Sequence, residues 1–335
     1  MRAEFRAARP ALEYCQAIVR QHAKSFYFCS HFLPAEKRWA MFAVYAVCRT
    51  LDDIVDEAVN DAVVRNAISD APSGDTAKLT NNATSLTIGV ATSSASKIVA
   101  ATSLTAAQSA AQTLAQWRQH LEDVYQGRPV KLPILQAMQA VLQVYAIPQR
   151  HFLDLIAGLE MDLHGYKYQN FNDLRLYCYR VAATVGLMGS EVFGYQDKAA
   201  LAYAEALGIA MQLTNILRDV GEDYQLGRIY LPQEDLTRFG YSVADLQQGL
   251  INQQFIELMQ FEIARAREFY RQADAGINYL QPDSRLTVLA ASRLYEGILQ
   301  AIENNHYDVF HRRASLSLAT KLWRLPQIWL QRQIS

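Results

Sequence analysis

The chain predicts an all-α fold, and three observations carry that prediction. Apolar residues recur at three- and four-residue steps over most of its 335 residues. No set of alternating apolar and polar runs marks strands. Two aspartate pairs of one spacing, Asp52/Asp56 and Asp219/Asp223, stand about half the chain apart. Residues four apart share a face on a helix.

The elements follow in order. Leu12–Phe32 places Cys15, Ile18, Val19, His22, Phe26 and Cys29 at helical steps. Pro34 breaks that pattern and opens a helix over about Ala35–Val59, with Glu36, Lys37 and Arg38 in its first turn and the first acidic pair further on. Ile134–Tyr145, Arg150–Asp162 and Leu174–Phe193 read as three more helices. Lys198–Val220 is another; it carries the second cluster and ends near Gly221. Ala244–Tyr279 reads as one or two helices with Gly249 near the joint, and Arg285–Tyr307 is a late helix.

One segment departs from this pattern. Ala71–Leu104 holds 12 Ser/Thr in 34 residues, only Asp75, Lys78 and Lys97 are charged, and no aromatic occurs between Tyr45 and Trp117. Such a stretch buries too little to offset chain entropy, which predicts a mobile loop dispensable for chemistry. A short Ala-rich helix around Ser103–Gln116 is the alternative for its end. The tail Ser315–Ser335 is basic and aromatic, with Lys321, Arg324, Arg332, Trp323 and Trp329. It reads as a surface helix packed on the body, with membrane-surface contact as the competing reading.

Composition excludes several classes. A formal net charge of −1 gives no general attraction to nucleic acid. Four scattered cysteines without a C-x-x-C pair fit a reducing, cytoplasmic setting. The longest apolar run, Ala40–Cys48, is too short to span a bilayer, and no apolar core follows the arginines of Met1–Pro10 as in a secretory signal. Seven histidines form no H-E-x-x-H pair, so zinc is not expected; His22 alone abuts the candidate site.

The chemistry sits in the two clusters. The first reads Arg49-Thr-Leu-Asp52-Asp53-Ile-Val-Asp56-Glu57. In the second, Gln212, Asn215, Asp219 and Asp223 recur at three- and four-residue steps, so one face presents two amides and two carboxylates. Like charges on one face repel, and Asp is a poor helix former, so a sequence that does this twice wants a cation between the helices. Hard oxygen donors suit Mg²⁺. Arg218 and Arg228 flank the set and can clamp phosphate oxygens. A solvated acidic face is the competing reading of either cluster alone. It weakens for two clusters that each adjoin an arginine and an apolar run, Ala43–Cys48 and Leu207–Leu213.

Further motifs carry a resemblance. His22-Ala-Lys-Ser25-Phe26-Tyr27, Ala43-Val-Tyr45-Ala-Val-Cys48-Arg49, Tyr177-Cys-Tyr-Arg180-Val-Ala-Ala-Thr-Val-Gly186 and the run from Leu207 through Arg228-Ile-Tyr230-Leu-Pro232 resemble the squalene/phytoene synthase family of head-to-head prenyl transferases. Gly189 is a small departure, where the pattern leads one to expect a larger or hydroxylated residue. The likeness implies an isoprenoid synthase helical bundle around a central apolar cavity. It implies one prenyl-synthase domain over 1–335, with its core at about 14–318 and a low-complexity insertion at about 66–110. It implies Mg²⁺, with Mn²⁺ as a substitute, held by Asp52, Asp56, Asn215, Asp219 and Asp223 between prenyl diphosphates. Ser25, Phe26, Tyr45, Arg49, Gln212, Arg218, Tyr295 and Arg312 would contact substrate, with Arg313 able to take the place of Arg312. Tyr177 would lie by the reacting carbons, where its ring and phenol suit a carbocation and a proton transfer; a satisfied core tyrosine is the reading without the family.

Family members differ in product. Ser30, four residues after Phe26, leaves room for a long chain and favours phytoene from two geranylgeranyl diphosphates, the first committed step of carotenoid synthesis, with no need for NADPH. Phe42 is bulky and argues for a shorter tunnel. The alternatives are squalene, dehydrosqualene or presqualene diphosphate from two farnesyl diphosphates. A membrane surface for product release and a downstream desaturase are the implied partners besides substrate. A terpene cyclase or a non-catalytic helical paralogue are the competing classes; the first would lack the Tyr177–Gly186 run, the second a metal-binding aspartate or Tyr177.

Overall fold

A computed structural model describes residues 2–69 and 93–316. Pro10 sits in the first turn of α2 (Arg9–His22), which follows the short α1 (Ala3–Ala7). The helix expected over Leu12–Phe32 is broken at Ala23, whose φ of −132° and ψ of 62° are not helical, and α3 (Lys24–Ser30) begins there. Past Pro34, α4 runs Ala35–Ser69, longer than expected. Next, α5 covers Ser93–Tyr125, so residues 93–104, expected as part of a mobile loop, are helical, and the Ala-rich helix expected at Ser103–Gln116 is the middle of a longer one. Residues 70–92 of the expected insertion and 317–335 of the basic tail lie outside the described residues.

Then come α6 (Pro133–Leu142), α7 (Gln149–Leu163) and α8 (Phe171–Cys178), the last capped by Asn170, whose side chain accepts from the Asp173 N–H. A π-helical turn, Tyr179–Ala183, joins α8 to α9 (Thr184–Phe193), so the helix expected over Leu174–Phe193 contains a wide turn. The central α10 (Ala200–Arg218) gives way at Asp219 (φ −107°) to α11 (Val220–Gln225). Two short helices follow, α12 (Gln233–Arg238) and α13 (Val243–Gln248). A Ser242/Asp245 capping box starts α13, and Gly249 in the left-handed region (φ 61°) ends it, at the joint expected from the sequence. The bundle closes with α14 (Gln253–Asp274), a 3₁₀ turn (Ile277–Tyr279) and α15 (Pro282–Asn304). Among the described residues there is no strand, only an isolated bridge between Tyr195 and Leu280.

Two large hydrophobic cores organise most of these helices, and a small third one, around Cys29, Leu289 and Leu294, joins α3 to α15. One, around Phe42, Leu51, Leu121 and Phe152, joins α2 and α4–α7. The other, around Leu213, Phe255, Tyr270 and Leu299, joins α8, α10, α14 and α15. Each fully buried Leu or Phe contributes roughly 1.5–3 kcal/mol. Ile209, Leu213 and Ile216 of α10 face the second core, whereas Met211, Gln212 and Asn215 face a cavity. Such a helix is apolar nearly all round because protein surrounds it. It is also the one described helix long and apolar enough to cross a membrane.

Candidate active site

A cavity of about 410 Å³ lies between the two cores. Its walls come from α3, α4, α7, α8, the π-turn, α9, α10, the end of α14, the 3₁₀ turn and α15. One end is polar, with Arg49, Asp52, Gln212, Asn215, Tyr177 and Tyr295; the rest is lined chiefly by apolar side chains such as Met41, Val185, Leu207 and Phe193.

The two acidic clusters meet at the polar end. Arg228, beyond the second cluster, donates to Asp56 of the first at 3.2 Å. Arg49 Nη1 reaches Asp52 at 3.3 Å, and its other terminal nitrogen pairs with Asp53. Arg218 binds Asp219 with two nitrogens, Nε at 2.8 Å. Arg313, rather than Arg312, comes against the second cluster, at 3.2 Å from Asp219 and 3.1 Å from Glu222.

These carboxylates remain electrostatically unsatisfied. Burial and the neighbouring Asp56 push Asp52 up to about 7. Burial and Asp219 push Asp223 up to about 8, despite Arg228. Arg49 Nε and Arg228 Nε and Nη2 are buried without a hydrogen-bond partner among the described residues. Excess carboxylate beside unpaired guanidinium N–H groups fits divalent cations and phosphate oxygens bound together. Among the described residues no three carboxylate, imidazole or thiol groups already close around one point.

The sequence reading missed the centrepiece. Asp162, near the end of α7, lies between the clusters and takes part in the fields that raise both Asp52 and Asp223. Tyr177 donates to its Oδ2 at 2.9 Å and Tyr230 to its Oδ1 at 2.8 Å, while the two phenol oxygens are 3.1 Å apart. Three oxygen–oxygen contacts need three hydrogens, and two phenols supply two. The ring is complete only when Asp162 is protonated. Its burial pushes it the same way, above the usual carboxylate range, against Arg228 and the two phenols. Tyr168 and Tyr230 pack on Tyr177, with ring centroids at 5.5 and 4.9 Å. One signal was available: Asp162 falls in helical phase with Leu155 and Leu159, two residues that line the cavity, so a carboxylate continues an inward stripe.

Other expected residues sort cleanly. Phe26, Tyr45, Arg49, Asp52, Tyr177, Gln212, Asn215 and Tyr295 line the cavity. Tyr45 stacks on Phe26 at 5.5 Å, and burial pushes its phenol up to about 12. Asp56, Arg218, Asp219, Asp223 and Arg228 form the rim outside the wall. Ser25 adjoins Phe26 on α3 but is not part of the wall, and His22 is exposed at the end of α2. The two residues expected to gauge chain length do not line the cavity. Ser30 is fully buried and donates to the Tyr27 carbonyl at 2.7 Å, because it lies one step round α3 from the wall residues Phe26 and Cys29. Phe42 is fully buried in the first core against Tyr27 and Trp39.

Comparison with known proteins follows the same lines. The squalene/phytoene synthase family model matches residues 19–320. A 15-cis-phytoene synthase of Synechocystis sp. is 39% identical, over 97% of this chain and 86% of its own length. A phytoene synthase of Arthrospira platensis is 38% identical, over 96% and 93%. Among solved structures, a dehydrosqualene synthase in complex with a ligand superposes with a TM-score of 0.80 at 27% identity, covering 99% of this chain and 100% of that one. A squalene synthase from Alicyclobacillus acidocaldarius shares the fold, with a TM-score of 0.68 at 22% identity over 90% and 96%.

Proposed function

The chain belongs to the squalene/phytoene synthase family, and from that premise we propose that it joins two geranylgeranyl diphosphates head to head, through a cyclopropylcarbinyl diphosphate, to phytoene. The observation that carries this is one apolar cavity with two acid clusters at a single end, beside Arg49 and Arg228, which keep buried N–H groups without a partner. Near-full-length similarity to phytoene synthases supports the twenty-carbon donor.

The residues divide the work. Arg49 and Arg228 present free N–H groups to diphosphate oxygens, with Arg218 and Arg313 behind the second cluster. Mg²⁺ or Mn²⁺, held by Asp52 and Asp56 on one side and Asn215, Asp219 and Asp223 on the other, would supply the charge that stabilises departing diphosphate. The apolar wall keeps water from the allylic and cyclopropylcarbinyl cations. Phe26, Tyr45 and Tyr177 turn aromatic rings toward that space. Each condensation releases two diphosphates and two protons: one proton as the cyclopropane closes, one as the central double bond forms. Tyr177 faces the cavity and Asp162 stands behind it, so an ionised Asp162 takes a proton through the phenol and completes its hydrogen-bonded ring. Cys48 also lines the wall, but burial pushes its thiol up to about 12, which leaves it a packing residue at neutral pH. The product is an oil, and its onward transfer to a membrane or a desaturase belongs to the same proposal.

Incubation with farnesyl or geranylgeranyl diphosphate and Mg²⁺, with and without NADPH, followed by mass analysis, tests this. A forty-carbon product from the longer donor without reductant is expected. A thirty-carbon product alone would move the assignment to the farnesyl-using branch, which the likeness to a dehydrosqualene synthase structure favours.

A further inference from the structure

We propose that Phe193, folded back over Gly189, is the floor of the cavity and sets the longest prenyl chain the enzyme accepts; this rests on the prenyl-transfer reading above. The walls can be followed down from the acid rim. Along α8, the π-turn and α9, Tyr177, Val181, Val185, Gly189 and Phe193 all line the cavity at four-residue steps, and Phe193 is the last residue of α9. At the helical rise this wall is roughly 24 Å long. Along α4 the lining residues are Asp52, Arg49, Cys48, Tyr45 and Met41. The next turn holds Lys37, which does not line the cavity. Its ammonium donates to the Phe193 carbonyl and to Asp283 Oδ1, each at 2.6 Å. Ser284 donates to the same carbonyl at 3.1 Å. The wall of α4 therefore ends where a lysine ties α4, α9 and α15 together.

Gly189 explains how the ring reaches its place. A Cβ at this position would stand 3.2 Å from Phe193 Cε2 and 3.4 Å from Met41 Cε. The larger residue expected there from the sequence would crowd the ring of Phe193. Behind Phe193 the backbone is pinned. Gly194 turns in the left-handed region (φ 72°), its carbonyl accepts from Gln281 N at 2.9 Å, and Gln196 N donates to Tyr279 O at 2.7 Å. A floor held on both sides does not retreat by backbone shift, so the size of the ring decides the depth.

The test compares kcat/KM and product mass for donors of fifteen, twenty and twenty-five carbons in the unaltered enzyme, Phe193→Ala and Phe193→Trp. For the unaltered enzyme the forty-carbon product should dominate. Phe193→Ala should raise the preference for the twenty-five- over the twenty-carbon donor by about tenfold or more and yield a fifty-carbon product, while Phe193→Trp should shift preference toward fifteen carbons. If Phe193→Ala does not fold, Phe193→Leu should shift the ratio in the same direction by about threefold. Donor ratios within twofold of the unaltered enzyme in a folded, active Phe193→Ala or Phe193→Leu variant would overturn the floor. Failure of every protein, the unaltered one included, to convert the twenty-carbon donor would overturn the function itself and with it this inference.

Discussion

A single carboxyl, Asp162, holds the two phenols that stand between the acid clusters. Asp162→Asn keeps the shape of the group but cannot take up a proton. Turnover should fall by about 10²–10⁴-fold with KM little changed and the melting temperature retained. Unimpaired turnover would remove Asp162 from the chemistry. A second buried carboxyl affects stability instead. Glu262 is 1% exposed and shares Arg265 with the buried Asp235, all contacts at 2.8 Å. Burial is the largest cause holding it up at about 8, from an ordinary 4.5; Arg265 pulls it down and Asp235 pushes it further up. A carboxyl raised on folding binds its proton more tightly in the folded state. Its contribution is complete below about pH 4.5 and is lost as pH rises through about 8. Glu262→Gln should therefore flatten the fall of the urea midpoint across that window; an unchanged slope would contradict the assignment. Asp162 and Glu262 also mark where sequence reading stops. Asp52/Asp56 and Asp219/Asp223 advertise themselves as like charges four residues apart in each pair, whereas Asp162 gains its meaning from tyrosines on other segments. Ser30 and Phe42 show the same limit in reverse, since helical phase near Phe26 did not say which face borders the cavity.

At the scale of elements, the π-turn Tyr179–Ala183 shapes the wall. It is held between two glycines. A Cβ on Gly208 of α10 would lie 2.4 Å from Ala183 Cα and 2.7 Å from its nitrogen, and one on Gly158 of α7 would lie 2.7 Å from Arg180 Cβ. The wide turn lets α9 continue past α10 with Val181 and Ala182 on the cavity wall. Because backbone atoms face Gly208, Gly208→Ala should destabilise by about 1–3 kcal/mol or more and lower turnover; a urea midpoint equal to that of the unaltered chain would contradict this packing. Helical period made most of the bundle legible: the existence of α4, α7, α10 and α15 follows from it. The break at Ala23 and the π-turn did not, because no glycine or proline marks them; the break at Asp219 falls two residues before Gly221, close to the helix end expected from the sequence. The break at Asp219 matters most. It turns Asp219 and Asp223 from one ideal face into the end of one helix and the first turn of the next, and the hydrogen bond from Asp223 N to Asp219 O at 2.8 Å keeps them adjacent.

At the scale of the whole molecule, two cores flank one cavity, and each core contributes one acid cluster to its rim. The proposed chemistry requires both clusters to act on the same diphosphates. Turnover of geranylgeranyl diphosphate in Asp52→Ala, Asp219→Ala and the double variant measures this most directly. Groups that act as a unit are not additive, so each single change should cost roughly 10³-fold or more and the double change little beyond that, with all three proteins folded. Independent, multiplying losses, or full turnover in either single variant, would contradict a shared site.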